Sequence, residues 1–338
     1  MIEVNNLVKN YGAVEAVKDL TFTLPAGQVL GFLGPNGAGK TTVMKILTGY
    51  HYPSGGEALV GGVSVMEDPV EVKRLTGYLP EGVPLYGDLT VAEYLRFTAD
   101  ARLVPKERRK AAIDSAVELC GLAAIASRRI ETLSKGYKQR AGLAAAIVHD
   151  PPVLILDEPT TGLDPNQIIE IRSLIKELGR SKTVILSTHI LQEVEAVCTQ
   201  VLILNSGRVA AQGSPAQIAA GLRGGESWTL VLKGGTPALE DGAAAVRQSL
   251  KEAASGFDGK VEISEVSGAP DGTILASFAI SGTSAESGGY RGANAERIFD
   301  WAVSLNLKIL EMSKKKTSLE DIFVKLTGSA RQQDSHEK

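Results

Sequence analysis

The glycine-rich segment Gly34–Thr42 carries residues whose spacing fits the binding of a phosphate chain. It follows the pattern of glycine, four residues, glycine, lysine and threonine, which arises by chance in only roughly a few per cent of chains of this length. Its glycines allow the backbone to turn N–H groups inward as an anion nest. Lys40 would reach the β- and γ-phosphates of a nucleoside triphosphate, and the Thr41 hydroxyl would ligate Mg²⁺. The predicted binding residues of this loop are Gly34, Pro35, Asn36, Gly37, Ala38, Gly39, Lys40, Thr41 and Thr42.

The segments around this loop predict the strand, turn and helix that such a site requires. Val29–Leu33 is an apolar run typical of a buried strand. Residues 42–47 predict a helix that ends near Gly49. The N-terminus of this helix adds positive partial charge where the phosphates would sit. The alternative is a glycine-rich turn that carries Lys-Thr by coincidence, and such a turn would not require this order of elements.

Two further apolar runs end in residues that could take part in catalysis. Val153–Leu156 leads into Asp157 and Glu158, and Thr183–Ser187 leads towards His189. Continuous apolar runs of this length are typical of strands covered on both faces. Ligands of open parallel sheets bind at the carboxyl ends of the strands. We therefore expect these side chains to meet the phosphate loop at one edge of a sheet.

Two other segments have both a structural and a functional interpretation. Tyr11 lies in a turn between two predicted strands, where an aromatic ring could stack on adenine. The local sequence favours a partly buried turn tyrosine instead. Ser134 and Gly136 precede a helix rich in alanine and leucine. Ser134 is either an ordinary N-cap or part of a second anion site at the helix N-terminus.

Composition limits the class of protein. The chain has 338 residues, 43% of them hydrophobic, with a net charge of −3, which gives no electrostatic argument for nucleic acid as a partner. Two cysteines, Cys120 and Cys198, provide no disulfide framework. No apolar run reaches the roughly 18 residues of a membrane span, and no signal peptide is visible. We expect a cytoplasmic protein whose membrane role, if any, comes through a partner.

The order of predicted elements indicates two domains and a tail. Residues 88–149 have helical periodicity and predict a helical insertion in the first domain, which covers residues 1–220. Residues 221–330 predict the order βαββαβ of a small α+β ferredoxin-like domain. The first of its predicted helices spans residues 237–254. A loop over residues 281–294 leads to a second helix that begins at Ala295, and a final helix is predicted around residues 319–326. Residues 331–338 are expected to form a flexible tail.

Taken together, these segments resemble the nucleotide-binding subunit of ATP-binding-cassette (ABC) transporters. The resemblance covers roughly residues 1–220 and uses six motifs in the family's order. It implies an α/β fold with a P-loop NTPase core of the ABC-ATPase type, in which a mixed sheet with helices is joined by an antiparallel β subdomain and a helical subdomain. It also implies ATP and Mg²⁺ as cofactors, ATP hydrolysis, and two subunits that close around two ATP molecules to drive a separate membrane permease.

The resemblance assigns roles to the residues at the strand ends. Asp157 would hold Mg²⁺, together with Thr41 and Glu81. Glu158 would be the general base that polarises the attacking water. His189 would contact the γ-phosphate. The catalytic residues implied are thus Glu158, His189 and Lys40.

The resemblance also assigns the adenine contact and the residues that act across the dimer interface. Tyr11 falls at the family's adenine-stacking aromatic, which reverses the interpretation favoured by its local sequence. Ser134 and Gly136 match the signature motif, which binds the γ-phosphate of ATP held by the opposite subunit. Asp164, in Gly162–Pro165, matches the loop that crosses the dimer interface. The pair would be a homodimer or a pairing with a related ATPase subunit.

The chain departs from the family pattern at two motifs. Glu81 stands where the family usually has glutamine, and it adds negative charge near the γ-phosphate. Lys135 and Tyr137 replace the signature's glycine and glutamine. Such variants resemble the separate-chain ATPases of drug, polysaccharide and gliding-type exporters, as does the ending Ser318–Gly328. The resemblance therefore implies an exporter whose ATPase lies on the inner face of the cell membrane.

Two other functions remain as alternatives. A soluble cassette ATPase that acts on ribosomes or DNA usually carries two cassettes or a long coiled insertion, and this chain has one cassette and no heptad arm. A P-loop kinase of small molecules would need neither the Ser134 signature nor self-association. The C-terminal domain could be a regulatory sensor, a dimer brace or a permease contact, and its composition does not distinguish them; of these, we expect a dimerisation or regulatory brace.

Overall fold

A computed structural model describes residues 1–221, 225–234, 242–253, 260–268, 273–281 and 293–315. The described residues form two compact units, one of residues 1–218 and one that starts at Ala219. The elements of the first unit are β1 (Ile2–Tyr11), β2 (Val14–Leu24), β3 (Val29–Leu33), α1 (Lys40–Leu47), β4 (Gly55–Val60), β5 (Val63–Ser64), α2 (Pro69–Leu75), β6 (Thr76–Leu79), α3 (Val91–Ala101), α4 (Lys106–Leu119), α5 (Lys135–Ile147), β7 (Val153–Asp157), α6 (Pro165–Leu178), β8 (Thr183–Thr188), α7 (Leu191–Val197), β9 (Gln200–Asn205) and β10 (Arg208–Gly213). The helix α8 (Pro215–Gly221) contains the boundary between the two units.

A six-stranded sheet in the order β10-β9-β3-β8-β7-β6 forms the centre of the first unit. All of its strands are parallel except β10, which closes a hairpin with β9 at the edge. Every residue of β3, β7 and β8 is buried, as continuous apolar strands covered on both faces should be. Because β3, β8 and β7 are neighbours, their carboxyl ends lie side by side.

A second, antiparallel sheet in the order β2-β1-β4-β5 packs against the first. The buried residues of β1 and β2 alternate with exposed ones, which is typical of a sheet with one face against the core. The aromatic rings of Phe22 and Phe32 meet edge to face at 5.4 Å between the two sheets. This arrangement brings the start of the chain, including Tyr11, close to the phosphate loop.

The helical insertion predicted for residues 88–149 consists mainly of α3, α4 and α5. A capping box between Thr90 and Glu93 starts α3. The sequence analysis missed α2, a seven-residue helix with a single buried residue, Val72. Its start has a local cause, since Asp68 caps the helix and Pro69 occupies its first turn.

The second unit contains, among its described residues, β11 (Gly225–Gly234), α9 (Gly242–Glu252), β12 (Lys260–Gly268), β13 (Thr273–Ser281), α10 (Ala293–Ser304) and β14 (Leu307–Lys315). The strands form an antiparallel sheet in the order β12-β13-β11-β14. This is the βαββαβ order and strand arrangement of the predicted ferredoxin-like fold. Its core includes Trp228, Phe278 and Trp301. The predicted final helix, most of the loop 281–294 and both ends of the helix predicted over 237–254 lie outside the described residues.

The fold class predicted from the sequence is confirmed. The first unit has the mixed sheet, the antiparallel sheet and the helical insertion of an ABC-ATPase core, and the second has an α+β architecture. Among the described residues, no helix is long and apolar enough to cross a membrane.

Candidate nucleotide site

A cleft of about 590 Å³ opens at the carboxyl edge of the parallel strands, and we call it the nucleotide cleft. It receives side chains from the loop after β3, from the ends of β7 and β8, and from the segment after β6. This is the edge at which parallel sheets bind ligands. The residues that line it are Tyr11, Ala16, Asn36, Gly37, Ala38, Gly39, Lys40, Thr41, Thr42, Glu81, Glu158, Thr161 and His189.

The glycine-rich loop requires glycine at two of its positions for steric reasons. Gly39 has a φ of 103°, and a Cβ added there would lie 2.6 Å from the Ala16 carbonyl oxygen. A Cβ on Gly34 would lie 2.5 Å from the Leu204 carbonyl oxygen. The backbone can thus take this path only without side chains at these points. The helix α1 begins directly afterwards, at Lys40, so its N-terminus faces the cleft.

Lys40 is buried at the base of the nucleotide cleft. Its Nζ donates hydrogen bonds to the carbonyl oxygens of Gly34 at 2.8 Å and of Pro35 at 3.3 Å. Burial lowers the pKa of the Lys40 ammonium, while the carboxylates of Glu158, Asp157 and Glu81 oppose that shift. The lysine is therefore a fixed cation that already lies in the field of three carboxylates, and it can interact with a phosphate there.

Glu158 is held in place by its backbone and by two side chains. Its φ of 49° lies in the left-handed region, which is strained for a residue with a side chain and occurs preferentially at functional sites. The carboxylate Oε2 lies 2.8 Å from His189 Nδ1, and it accepts a hydrogen bond from Thr161 Oγ1 at 3.1 Å. The backbone N–H of Glu158 donates to Ser187 Oγ at 2.9 Å.

Asp157 has one satisfied and one unsatisfied carboxylate oxygen. Its Oδ1 accepts a hydrogen bond from Ser187 Oγ at 2.5 Å. Its Oδ2 is buried and has no hydrogen-bond partner among the described residues. An unpartnered buried carboxylate oxygen of this kind is a candidate ligand for an ion or a water molecule. The described residues contain no group of three or more His, Cys, Asp or Glu side chains that could hold a metal, so an ion here would also need hydroxyl or phosphate oxygens, as Mg²⁺ typically does.

Tyr11 lies on the wall of the nucleotide cleft, with 43% of its surface exposed. Its hydroxyl group lies 2.6 Å from His51 Nδ1, and the two rings meet edge to face. The Lys9 ammonium lies over the Tyr11 ring, 5.0 Å from its centroid. The ring is therefore an exposed aromatic surface fixed at one edge, which suits stacking against a base.

Ser134, Gly136 and Asp164 do not line the nucleotide cleft. We call these three residues the exposed half-site, after its two exposed members Ser134 and Asp164; Gly136 is buried. Gly136 and Asp164 line a separate cleft of about 490 Å³. Ser134 caps α5 and accepts a hydrogen bond from the Tyr137 N–H at 3.5 Å. Asp164 caps α6 in the same way, through the Gln167 N–H at 3.0 Å. Both interpretations of Ser134 are thus compatible with its position, since an N-cap at a helix N-terminus also presents N–H groups to an anion.

The structure shows residues that line the cleft or contact its residues and that the sequence analysis did not identify. Ser187 and Thr161 hold the two carboxylates, His51 contacts Tyr11, and Ala16 lines the wall. Ser187 could have been found from the pairing of β7 with β8, because that register places it opposite Asp157. His51 lies 40 residues from Tyr11, and no local pattern connects them.

Comparisons with known proteins agree with this geometry. A family model described as ABC transporter matches residues 17–161. The chain is 41% identical over 62% of its length to the uncharacterized ABC transporter ATP-binding protein YhcH of Bacillus subtilis, covering 68% of that protein. It is 32% identical over 92% of its length to an uncharacterized ABC transporter ATP-binding protein, sll0415, of Synechocystis, covering 78% of it. It is 34% identical over 69% of its length to the linearmycin resistance ATP-binding protein LnrL of Bacillus subtilis, covering 76% of it.

Solved structures lead to the same family. An ATP-binding subunit of an ABC transporter superposes with a TM-score of 0.61 at 33% identity, over 66% of this chain and 95% of that one. The protein cbiO1 of Clostridium perfringens, part of the ABC transporter complex cbiONQ, superposes with a TM-score of 0.60 at 30% identity, over 65% of this chain and 90% of that one. The chain therefore belongs to the family of ABC transporter ATP-binding proteins and is an ATPase.

Proposed function

We propose that two protomers of this ATPase bind two ATP molecules between them and drive a separate membrane permease that exports its substrate. The observation that carries the proposal is the division of the predicted site into two places. Lys40, Glu158 and His189 share the nucleotide cleft, whereas Gly136 and Asp164 line a different cleft. A single protomer thus presents two incomplete groups of phosphate-binding residues, and a pair of protomers can complete each group with the other.

In this proposal the nucleotide cleft binds ATP through its backbone and through Lys40. The N–H groups of the loop Gly34–Thr42 and the N-terminus of α1 receive the phosphates. Lys40 supplies a positive charge against the β- and γ-phosphates. Tyr11 stacks on the adenine ring, with its own ring fixed by His51.

Glu158 is the general base in the proposed mechanism. Its carboxylate accepts a proton from the attacking water as that water approaches the γ-phosphorus. His189 and Thr161 hold the carboxylate in position through hydrogen bonds to Oε2. His189 is also the residue proposed to contact the γ-phosphate, because it lines the cleft and its side chain is 54% exposed.

Thr41, Asp157 and Glu81 are the residues proposed to hold Mg²⁺. These residues offer one hydroxyl and two carboxylates, and the carboxylate of Asp157 has the unpartnered oxygen Oδ2. Such oxygen atoms are the ligands that Mg²⁺ takes beside substrate phosphates. When bound, the ion neutralises negative charge on the phosphates. Glu81 replaces a neutral glutamine, so its carboxylate adds negative charge near the γ-phosphate and opposes the lowering of the Lys40 pKa.

The exposed half-site supplies the second set of phosphate contacts, in trans. Ser134 and Gly136 sit at the N-terminus of α5, which has 13 residues. Asp164 stands at the start of α6 and would reach across the interface. The partner protomer is a second copy or a related ATPase subunit. The domains proposed are an ATP-binding domain over residues 1–220 and an accessory domain over residues 221–330, which acts as a dimerisation or regulatory brace.

A membrane permease is the proposed partner, and nucleic acid is not. One relative is part of the multi-subunit complex cbiONQ, and the name of another refers to linearmycin resistance; both support a separate permease, and the second supports export. Tyr86, just before the helical insertion, and Phe97 on α3 are about half exposed, and their ring centroids lie 5.3 Å apart. Exposed apolar groups of this kind are typical of protein-binding surfaces. The ATPase would thus lie on the inner face of the cell membrane.

The substitution Glu158→Gln tests this function. It removes the base and leaves the shape of the cleft unchanged, so turnover should fall roughly a hundredfold or more, whereas ATP affinity is retained and an ATP-bound dimer accumulates. Phosphate release, calorimetry and size-exclusion chromatography with MgATP measure the three quantities. The exposed Glu177→Gln is the matched control and should behave as the wild type. Wild-type hydrolysis by Glu158→Gln would exclude Glu158 as the base, and a variant that stays monomeric with MgATP would exclude the paired site.

A further inference from the structure

Thr188, the residue before His189, connects the loop that carries His189 to helix α7 through hydrogen bonds of its side chain. Thr188 is the last residue of β8 and is fully buried. Its Oγ1 donates a hydrogen bond to Glu193 Oε2 at 2.7 Å and accepts one from the Ile190 N–H at 3.0 Å. The Glu193 N–H donates in turn to the Ile190 carbonyl oxygen at 3.1 Å. The backbone on both sides of His189 is therefore tied to one glutamate.

Glu193 is an unusual residue for this place, because its side chain is 3% exposed. Its second oxygen, Oε1, lies 3.4 Å from an Nη atom of Arg172 on α6. Among the described residues, Oε1 accepts no hydrogen bond and Arg172 Nε donates none. Apolar side chains of similar volume often stabilise a fold as well as a buried ion pair does. Packing alone therefore does not account for Glu193, whereas a directional bond to Thr188 does.

Arg172 connects this network to the exposed half-site. It lies on α6, the helix that Asp164 caps. Arg172 is eight positions after Asp164, a distance of about 12 Å along the helix axis. The helix is a rigid element over this length. The ion pair thus joins the helix that starts at the exposed half-site to the loop that carries His189.

We propose that Glu193 is a positioning residue for ATP hydrolysis, which acts through Thr188 on His189 and is itself held by Arg172. The inference rests on the proposed function, in which Glu158 is the base and His189 its partner. His189 holds Oε2 of Glu158 at 2.8 Å, so a shift of the His189 loop moves the base away from the attacking water. Neither Thr188 nor Glu193 is among the residues that line the nucleotide cleft. Loss of the network should lower turnover and leave ATP affinity unchanged.

The first test compares two substitutions of Thr188 in the full chain. Thr188→Val removes the hydroxyl at nearly constant volume, whereas Thr188→Ser keeps it. We expect Thr188→Val and Glu193→Gln each to lower kcat roughly tenfold, in the range found when a ligand's supporting partner is removed. Thr188→Ser should keep most of the wild-type kcat. The ATP dissociation constant, measured by calorimetry, should be the same in all of these variants as in the wild type. Glu195→Gln, an exposed position on the same helix, is the matched control and should keep the wild-type kcat.

The second test asks whether Glu193 acts through His189. In a His189→Ala background, Glu193→Gln should lower kcat no further, since its target is absent. Losses that multiply, or a fall in ATP affinity, would mean a general structural effect and overturn the inference. If His189→Ala lowers kcat while Thr188→Val and Glu193→Gln do not, the inference alone fails. If His189→Ala itself keeps the wild-type kcat, the role of His189 in the proposed function fails.

Discussion

The nucleotide cleft and the exposed half-site differ in how their polar groups are held. In the cleft, Lys40 and Glu158 are less than a tenth exposed, and hydrogen bonds from several elements fix them. At the half-site, Ser134 and Asp164 are exposed, and each caps a helix through one backbone N–H. The first arrangement can bind a phosphate chain unaided. The second presents helix N-termini to the solvent, and in the proposed function it completes the site of another protomer.

The difference follows from where each group lies in the fold. The cleft residues follow buried parallel strands whose register is fixed on both sides, so their positions are set by the core. The half-site residues stand at the N-termini of α5 and α6, where the helix dipole favours an anion. Substitutions in the nucleotide cleft should therefore lower ATP affinity, whereas substitutions in the exposed half-site should lower turnover. This difference can be measured.

The largest effect is expected from Lys40→Ala in the nucleotide cleft. Removal of the buried cation should weaken ATP binding by roughly a hundredfold, since a hydrogen bond to a charged group contributes up to about 3 kcal/mol. Calorimetry with MgATP measures the change. Lys45→Ala, on the same helix but outside the residues that line the cleft, is the matched control and should bind ATP normally. Unchanged affinity of Lys40→Ala would contradict the assignment of the loop.

A smaller effect on binding, with a clear effect on turnover, is expected from Gly136→Val. A Cβ at this position would lie 2.5 Å from the Gln167 side chain. The valine side chain should therefore displace Gln167 and obstruct the exposed half-site. Each protomer keeps its own cleft, so ATP affinity should stay near the wild-type value while phosphate release falls. A loss of affinity as large as that of Lys40→Ala would mean that the two places are not separate.

Mixing these two impaired variants sharpens the comparison further. In a two-fold dimer of Lys40→Ala with Gly136→Val, one site combines the intact cleft of one chain with the intact half-site of the other. A random equimolar mixture should then recover about a quarter of wild-type turnover, because half of the dimers each contain one complete site. Absence of recovery, although mixed dimers are shown to form, would exclude sharing of the site between protomers.

The parts of the site that follow from the sequence are those encoded by local order. Apolar runs that end in Asp157 and His189 predicted the convergence at one sheet edge, because parallel strands all present their carboxyl ends on the same side. The same logic predicted most strands, whereas α2 was missed because its seven residues bury only Val72. A helix so short has almost no periodic signal.

The supporting contacts do not follow from the sequence, because they depend on register and on distant packing. Ser187 holds Asp157 only because β7 and β8 pair in one alignment. Glu193 becomes a partner of Thr188 only when α7 folds back over the end of β8. Serine, threonine and glutamate occur throughout the chain, so residue type alone does not distinguish these positions from solvent-exposed ones.

The smallest effect on the reaction is expected at the far end of α5, where His149 lies. Burial, assisted by the charge of Arg102, lowers the pKa of His149 to about 4, from 6.5. Between these pH values the unfolded chain binds more protons than the folded one. The contribution of neutral His149 to the free energy of unfolding is therefore fully present above pH 6.5 and is lost as the pH falls towards 4. The shift corresponds to about 3 kcal/mol.

The substitution His149→Gln should therefore flatten the acid side of the stability profile. Denaturant unfolding between pH 6.5 and pH 4 should show a loss of stability smaller by about 3 kcal/mol than in the wild type. ATP turnover at neutral pH should stay unchanged, because His149 is not among the residues that line the nucleotide cleft or the cleft of the exposed half-site. If turnover fell as it does in Gly136→Val, the two ends of α5 would be coupled, and the half-site could not be treated as a local surface that a second protomer completes.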